Sequence, residues 1–171
     1  MFFGNKELIF DKPLVMGIIN VTTDSFSDGG KFISNNPTSK FDLKKIIKEI
    51  NLLEKSGASF IDIGAESTRP GYSPISIQEE LDRLIPVLEL ISETKSIISI
   101  DTRKPEVMKE VLKFPIGLIN DVSGLTSTLG RKLIKNHNVP ICVMHNSRDR
   151  TKSLKEDIDS FFKTQINQLT V

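Results

Sequence analysis

After a short lead-in, apolar runs of four to six residues alternate five times with segments of helical spacing, and no two candidate strands follow one another directly. Strands that each lead into a helix predict a parallel sheet with right-handed crossovers. The first strand is Leu14–Ile19, apolar without alternation, the pattern of a parallel strand covered on both faces. It is followed by a helix over Asp42–Ser56, with Leu43, Ile46, Ile47, Ile50 and Leu53 on one face and Gly57 as its stop. The second strand, Ser59–Ile63, leads to a helix that Ser76 and Glu79 open as a capping box. Pro86 lies inside that helix and is expected to kink it or loosen one turn. The third strand, Ile97–Ile100, leads to a helix begun by Pro105, and the fourth, Ile116–Ile119, to a short helix marked by Leu129, Leu133 and Ile134. The fifth, Ile141–Met144, precedes a helix capped by Ser153 and Glu156. Residues 1–13 read as a small hairpin ended by Pro13.

Two architectures satisfy this order, an open doubly wound sheet and a (β/α)8 TIM barrel. No Gly-rich phosphate fingerprint follows the first strand, which weakens the dinucleotide-binding sheet. Polar, chemistry-bearing residues follow nearly every strand instead of gathering at one switch point, which favours the barrel. A barrel takes eight units and about 250 residues. The expectation for residues 1–171 is therefore a single α/β domain, a TIM barrel truncated after about five βα units, with its first and fifth strands as unpaired edges.

Charge and composition exclude several classes. With 38% hydrophobic and 26% charged residues and a formal net charge of +1, the chain lacks the long-range field that would draw nucleic acid or an anionic membrane. No apolar run approaches the about 20 residues of a membrane span. The N-terminus lacks the basic start and long apolar segment of a secretory signal. A single cysteine, Cys142, allows no internal disulfide, and the expected compartment is the cytoplasm. With His137 and His145 as the only histidines, a His/Cys zinc site is not expected.

The candidate site residues stand at the ends of the strands. Asn20 ends the first, where a neutral amide oxygen suits a hard cation such as Mg²⁺; the alternative is a loop-initiating Asn bonded to its own backbone. Asp24 and Asp28 follow in a Gly-rich loop, with Phe26 between them as an aromatic able to cover something flat. Thr68 and Arg69 precede Pro70-Gly71, a hydroxyl and a guanidinium on a stiffened turn; Arg69 suits an anionic substrate group, or it pairs with Glu66. Asp62, inside the second strand, must be paired if buried, so a structural use is expected. Asp101 ends the third strand, where a carboxylate can accept paired donors from an aminopyrimidine-like ring, unless it caps the helix near Pro105. Asn120 and Asp121 repeat this on the fourth strand, and Met144 and His145 on the fifth. The Met144 thioether can pack on a flat ring or simply fill core.

Six segments together resemble dihydropteroate synthase, within the pterin-binding TIM-barrel family. They are MGIINVTTDSFSDGG (16–30), GASFIDIGAESTRPG (57–71), EELDRLIP (79–86), IDTRKPEV (100–107), INDVSGL (119–125) and PICVMHN (140–146). The resemblance covers about residues 14–146, and one departure is Thr23, where the family commonly has Pro. It implies a reaction that joins 6-hydroxymethyl-7,8-dihydropterin diphosphate to 4-aminobenzoate with Mg²⁺, giving dihydropteroate and diphosphate. The family's chemistry is dissociative: diphosphate leaves, a pterin cation forms, and the aromatic amine attacks. Such a step needs charge neutralisation and orientation more than an activated nucleophile.

Carried over by position, the resemblance puts Asn20 at the Mg²⁺–diphosphate end with Asp28 assisting. Phe26 and Pro70 would line the 4-aminobenzoate pocket, and Thr68 would lie between the two substrates. Asp101 and Asn120 would bond the pterin edge beside Met144. Arg69 would support the second loop, and loops Asn20–Lys31 and Ala65–Pro74 would act as lids. Three later family motifs, an Asp-Pro-Gly-Phe-Gly-Phe segment, a Ser-Arg-Lys and an Arg-Val-His, match nothing in this sequence. Little turnover is therefore expected from this chain alone, and its expected partners are a second copy or a complementary C-terminal fragment. The alternatives are a non-catalytic remnant and a methyltetrahydrofolate-binding methyltransferase domain; the first two loops favour the synthase.

Overall fold

A computed structural model describes residues 1–22, 31–34, 40–67, 73–91, 93–146 and 151–170. The chain opens with the expected antiparallel hairpin, β1 (Phe2–Phe3) and β2 (Lys6–Glu7). Five parallel strands then enter one sheet in chain order: β3 (Met16–Asn20), β4 (Phe60–Gly64), β5 (Ile97–Asp101), β6 (Leu118–Asp121) and β7 (Ile141–Val143). Between and after them run α1 (Leu43–Lys55), α2 (Ile77–Leu90), α3 (Pro105–Val111), α4 (Thr128–His137) and α5 (Leu154–Thr170). This is an α/β fold of five successive βα units, and no helix among the described residues is long and apolar enough to cross a membrane.

Local chemistry explains most boundaries. Asp42 caps α1 by accepting from the Lys45 amide at 3.2 Å, and Ser127 caps α4 through the Gly130 amide at 3.3 Å. Ahead of α5 the capping box is complete: Ser153 Oγ accepts from the Glu156 amide, and the Glu156 carboxylate accepts from the Ser153 amide at 3.0 Å. At α2 only half of the expected box forms. Ser76 Oγ accepts from the Glu79 amide at 3.1 Å, but Glu79 turns its carboxylate to Lys40 and Arg83 instead. Two cations outcompete one backbone amide for the carboxylate. Helix α2 runs through Pro86 without interruption.

Register decides which residues meet. Ile18, Asp62, Ser99 and Leu118 are paired across β3 to β6; two residues on, so are Asn20, Gly64, Asp101, Asn120 and Cys142 across β3 to β7. Paired positions share a face and successive residues alternate. Ile19, Ile63, Ile100 and Ile119 therefore turn to the opposite face, where they pack with Ile46, Ile50, Leu84, Val87, Val107, Met108 and Ile134 from the helices. Each side chain fully buried there contributes about 1.5–3 kcal/mol.

The other face is closed only at its lower end. Phe60, Ile97 and Leu118 pack there with Phe3 of the hairpin, whose ring meets that of Phe60 edge-on at 5.1 Å. Gly117 permits this approach, since a Cβ there would lie 2.7 Å from Ile97 Cγ2 and 3.1 Å from Phe3 Cβ. Higher up the face is open, and the expectation of a first strand covered on both faces fails. In β3, Gly17 and Ile19 are buried but Ile18 is 61% exposed, because β3 is an edge strand whose inner face nothing among the described residues covers.

Candidate active site

The upper row of the open face brings three of the expected residues, Asn20, Asp101 and Asn120, into one register. Asn20 and Asp101 are the last residues of β3 and β5, and Asn120 is the penultimate residue of β6. Gly64 stands between the first two: a Cβ there would lie 3.4 Å from Asp101 Oδ2 and 3.7 Å from Asn20 Oδ1. Lacking one, the sheet leaves a gap flanked by an amide and a carboxyl group. Asp101 Oδ1 is buried and has no hydrogen-bond partner among the described residues. Burial pushes its carboxyl up to about 7, and the negative charges of Asp62, Glu80, Asp121 and Glu66 add to this. The alternative of a helix cap is excluded, because no side chain caps α3.

One layer below, Asp62 behaves as expected of a buried carboxylate. Its Oδ1 accepts from Ser99 Oγ at 2.5 Å and its Oδ2 from Asn120 Nδ2 at 3.1 Å. Asp121 falls on the opposite face and serves the backbone, accepting from the amides of Ser123 at 2.7 Å and Leu125 at 3.1 Å. The candidate pair Asn120-Asp121 therefore contributes only Asn120 to the site. Met144 follows β7 and is 46% exposed. His145 is a packing residue, with Nε2 3.1 Å from Asp157 and its ring edge-on to Phe161 at 5.1 Å. Cys142 shares the row with Asn120 as an exposed free thiol. Asp24, Phe26, Asp28, Thr68, Arg69 and Pro70 lie outside the described residues.

Beside the site the structure adds a charge network that the strand-end motifs do not reveal. Lys104 Nζ donates to Glu66 Oε2 at 2.5 Å, to Glu80 Oε2 at 2.6 Å and to the Ile75 carbonyl at 2.8 Å. Glu66 also accepts from Arg103 Nε at 2.8 Å and from the Ile75 amide at 3.0 Å. Burial opposes its ionisation, but the bonds from Lys104, Arg103 and that amide outweigh it and hold the carboxyl below its ordinary range. Glu80 accepts from Thr102 Oγ1 at 2.6 Å, and buried Arg83 donates to the Ala65 carbonyl at 2.8 Å. These bonds fasten both described flanks of the segment between Glu66 and Ile75. A signal for it lies in the sequence: Glu80 stands four and seven residues before Leu84 and Val87, on the buried stripe of α2.

Among the described residues no group of three or more His, Cys, Asp or Glu is placed to hold a metal. Asn20 offers one neutral oxygen, which fits a Mg²⁺ carried mainly by substrate phosphates and water and does not fit an all-protein cage.

Residues 16–170 match the family described as pterin binding enzyme. The chain belongs to this family. It is 41% identical over 172 residues to dihydropteroate synthase of Clostridium beijerinckii, a match covering 98% of this chain and 61% of that protein. Among solved structures it resembles Yersinia pestis dihydropteroate synthase in a sulfonamide drug complex, with TM-score 0.85, 35% identity, and coverage of 99% of this chain and 62% of the other. Xanthomonas albilineans dihydropteroate synthase with 4-aminobenzoic acid gives TM-score 0.79 and 36% identity, over 96% of this chain and 58% of the other. The chain spans about half to three fifths of the length of the curated synthases it matches. Its five units are thus a partial barrel of the dihydropteroate synthase type, and the methyltransferase alternative gives way to that likeness.

Proposed function

We propose that this chain carries the pterin face of a dihydropteroate synthase acting in the cytoplasm, with residues 1–171 working as one pterin-binding unit. The overall reaction joins 6-hydroxymethyl-7,8-dihydropterin diphosphate to 4-aminobenzoate. The observation that carries the reading is Asp101, whose buried Oδ1 has no hydrogen-bond partner among the described residues and which pairs with Asn120 on the open face of the sheet. A heterocycle with neighbouring N–H donors would satisfy that oxygen and favour the ionised carboxylate, offsetting its desolvation.

In this reading Asp101 and Asn120 hold the pterin edge and Met144 packs beside the ring. The C–O bond to diphosphate breaks first, and the resulting pterin cation lies near the carboxylates of Asp101 and Asp62, which stabilise positive charge in a poorly hydrated site. The amine of 4-aminobenzoate then forms the C–N bond and sheds a proton to solvent. Mg²⁺, when bound, supplies charge neutralisation at the departing diphosphate, and Asn20, with Asp28, would hold it. Phe26 and Pro70 would line the 4-aminobenzoate side, Thr68 would lie between the substrates, and Arg69 would support the second loop.

A second reading, pterin binding without turnover unless a second copy or a complementary segment completes the barrel, is favoured by the exposed Met16 and Ile18 on the inner face of β3. One pair of measurements separates the two: calorimetric binding of 6-hydroxymethylpterin, and diphosphate release that depends on 4-aminobenzoate. Binding with release supports the synthase reading for this chain itself. Binding without release supports the second. Asp101→Ala should lower pterin affinity at least tenfold, and unchanged affinity would remove the basis of both.

A further inference from the structure

The geometry assigns to Asp62 the role of a positioning residue: it fixes the Asn120 amide with its nitrogen turned down into the sheet and its carbonyl oxygen turned up toward the ligand. The inference rests on the reading of this face as a pterin site and adds to it which hydrogen-bonding polarity the site presents at position 120.

The argument begins with capacity. Asp62 is 5% exposed and Ser99 fully buried, both one layer below Asp101 and Asn120. Both carboxylate oxygens of Asp62 serve as acceptors, Oδ1 from Ser99 Oγ and Oδ2 from Asn120 Nδ2. The one hydroxyl proton of Ser99 is taken up by Oδ1, so the Asn120 NH₂ is what Oδ2 receives. An Asn amide is symmetric in shape, and its orientation is decided by the network around it. Here the decision is strong, since a flipped amide would set its oxygen against a carboxylate oxygen in a buried place with no donor between them. With the nitrogen held below, Oδ1 stands on the ligand side, next to Asp101 in the same register row.

The consequence is selectivity. The site offers acceptor atoms at two neighbouring positions, Asn120 Oδ1 and the Asp101 carboxylate. It therefore takes a flat, amino-substituted nitrogen heterocycle that presents N–H donors to both, and it rejects an isostere that puts a lone pair opposite Asn120, because two acceptors are then left facing each other. Ser99 supports the arrangement from below by holding the Asp62 carboxylate in plane.

The test uses the full chain and has two independent readouts. In the unsubstituted protein, the side-chain NH₂ of Asn120 should exchange with solvent at least tenfold more slowly by NMR than the exposed side-chain amide of Asn136. Exchange as fast as that amide overturns the assignment without any variant. Asp62→Asn is isosteric: Ser99 can still donate to its oxygen, while its new NH₂ donates to Asn120 Oδ1 and turns the Asn120 nitrogen outward. Its affinity for 6-hydroxymethylpterin should fall about 10–100-fold, with an unchanged fold by circular dichroism. Adding Asn120→Asp to that variant restores an outward acceptor, held from below by the new side-chain amide at position 62. Affinity should then return to within about threefold of the starting protein, on the same hydrogen-bond ground. A merely structural role predicts no such recovery, so its absence would overturn the inference. If the unsubstituted chain binds no pterin, the pterin reading fails, while the exchange rate of the Asn120 amide still decides what Asp62 does.

Discussion

Asp101 makes the proposed site pH-sensitive in a definite direction. Its carboxyl titrates near 7 in the folded chain, against an ordinary value of 3.8. Between those values the folded protein holds a proton that the unfolded chain has released. The contribution of Asp101 to stability is therefore most favourable below about pH 4, declines as the pH rises, and levels off above about pH 7, a span worth about 4 kcal/mol. Asp101→Asn removes this dependence. Urea titrations should show the variant gaining on the parent by about 2–3 kcal/mol more at pH 8 than at pH 5. An equal difference at both pH values would contradict the buried, unpartnered state of Asp101. The same burial that lowers stability leaves an oxygen ready for a ligand, the usual trade at a binding site.

At the scale of elements, two contacts control how pieces of secondary structure meet. Lys104, just before α3, joins Glu66 after β4, Glu80 of α2 and the Ile75 carbonyl. Lys104→Met would take from buried Glu80 its ion-pair partner while Glu66 keeps Arg103, and denaturant unfolding should show a loss of about 3–5 kcal/mol. The double variant with Glu80→Gln should lose less than the sum of the single changes, because the two residues share one interaction. At the other end of the sheet, Gly117→Ala would drive a Cβ into Ile97 and Phe3. It should cost about 1–3 kcal/mol and increase amide exchange in β1 and β2 while leaving β5 protected. Such helix-end and strand-end contacts are only partly legible in the sequence. The caps of α1, α4 and α5 depend on neighbours three residues away in sequence, whereas Glu79 is drawn from its own cap by Arg83 four residues on together with Lys40, 39 positions away.

For the molecule as a whole, the parallel sheet ends at β3 and β7 among the described residues, and the inner face of β3 exposes Met16 and Ile18. Unpaired edges flanked by apolar side chains promote self-association. Sedimentation velocity should give a weight-average mass that rises with concentration, and Ile18→Lys should bring it back toward the 19.2 kDa monomer. A concentration-independent monomer would mean that the open face is covered in solution.

The amino-acid sequence by itself determined the class and order of the elements, because alternation of apolar runs with helical spacing is a local property that one kind of sheet accommodates. It also placed Asn20, Asp101 and Asn120 at strand ends, since strand length and polarity change are read along the chain. Only the tertiary structure decided which of those residues share a face. Parallel pairing put Asp101 beside Asn120, sent Asp121 to the helix side and brought Asp62 and Ser99 beneath them. It likewise decided that Ile18 stands uncovered and that Glu80 and Lys104 meet within a buried network. The physical reason is register: an offset of one residue exchanges the two faces of a strand, and the partner that fixes it lies tens of residues away.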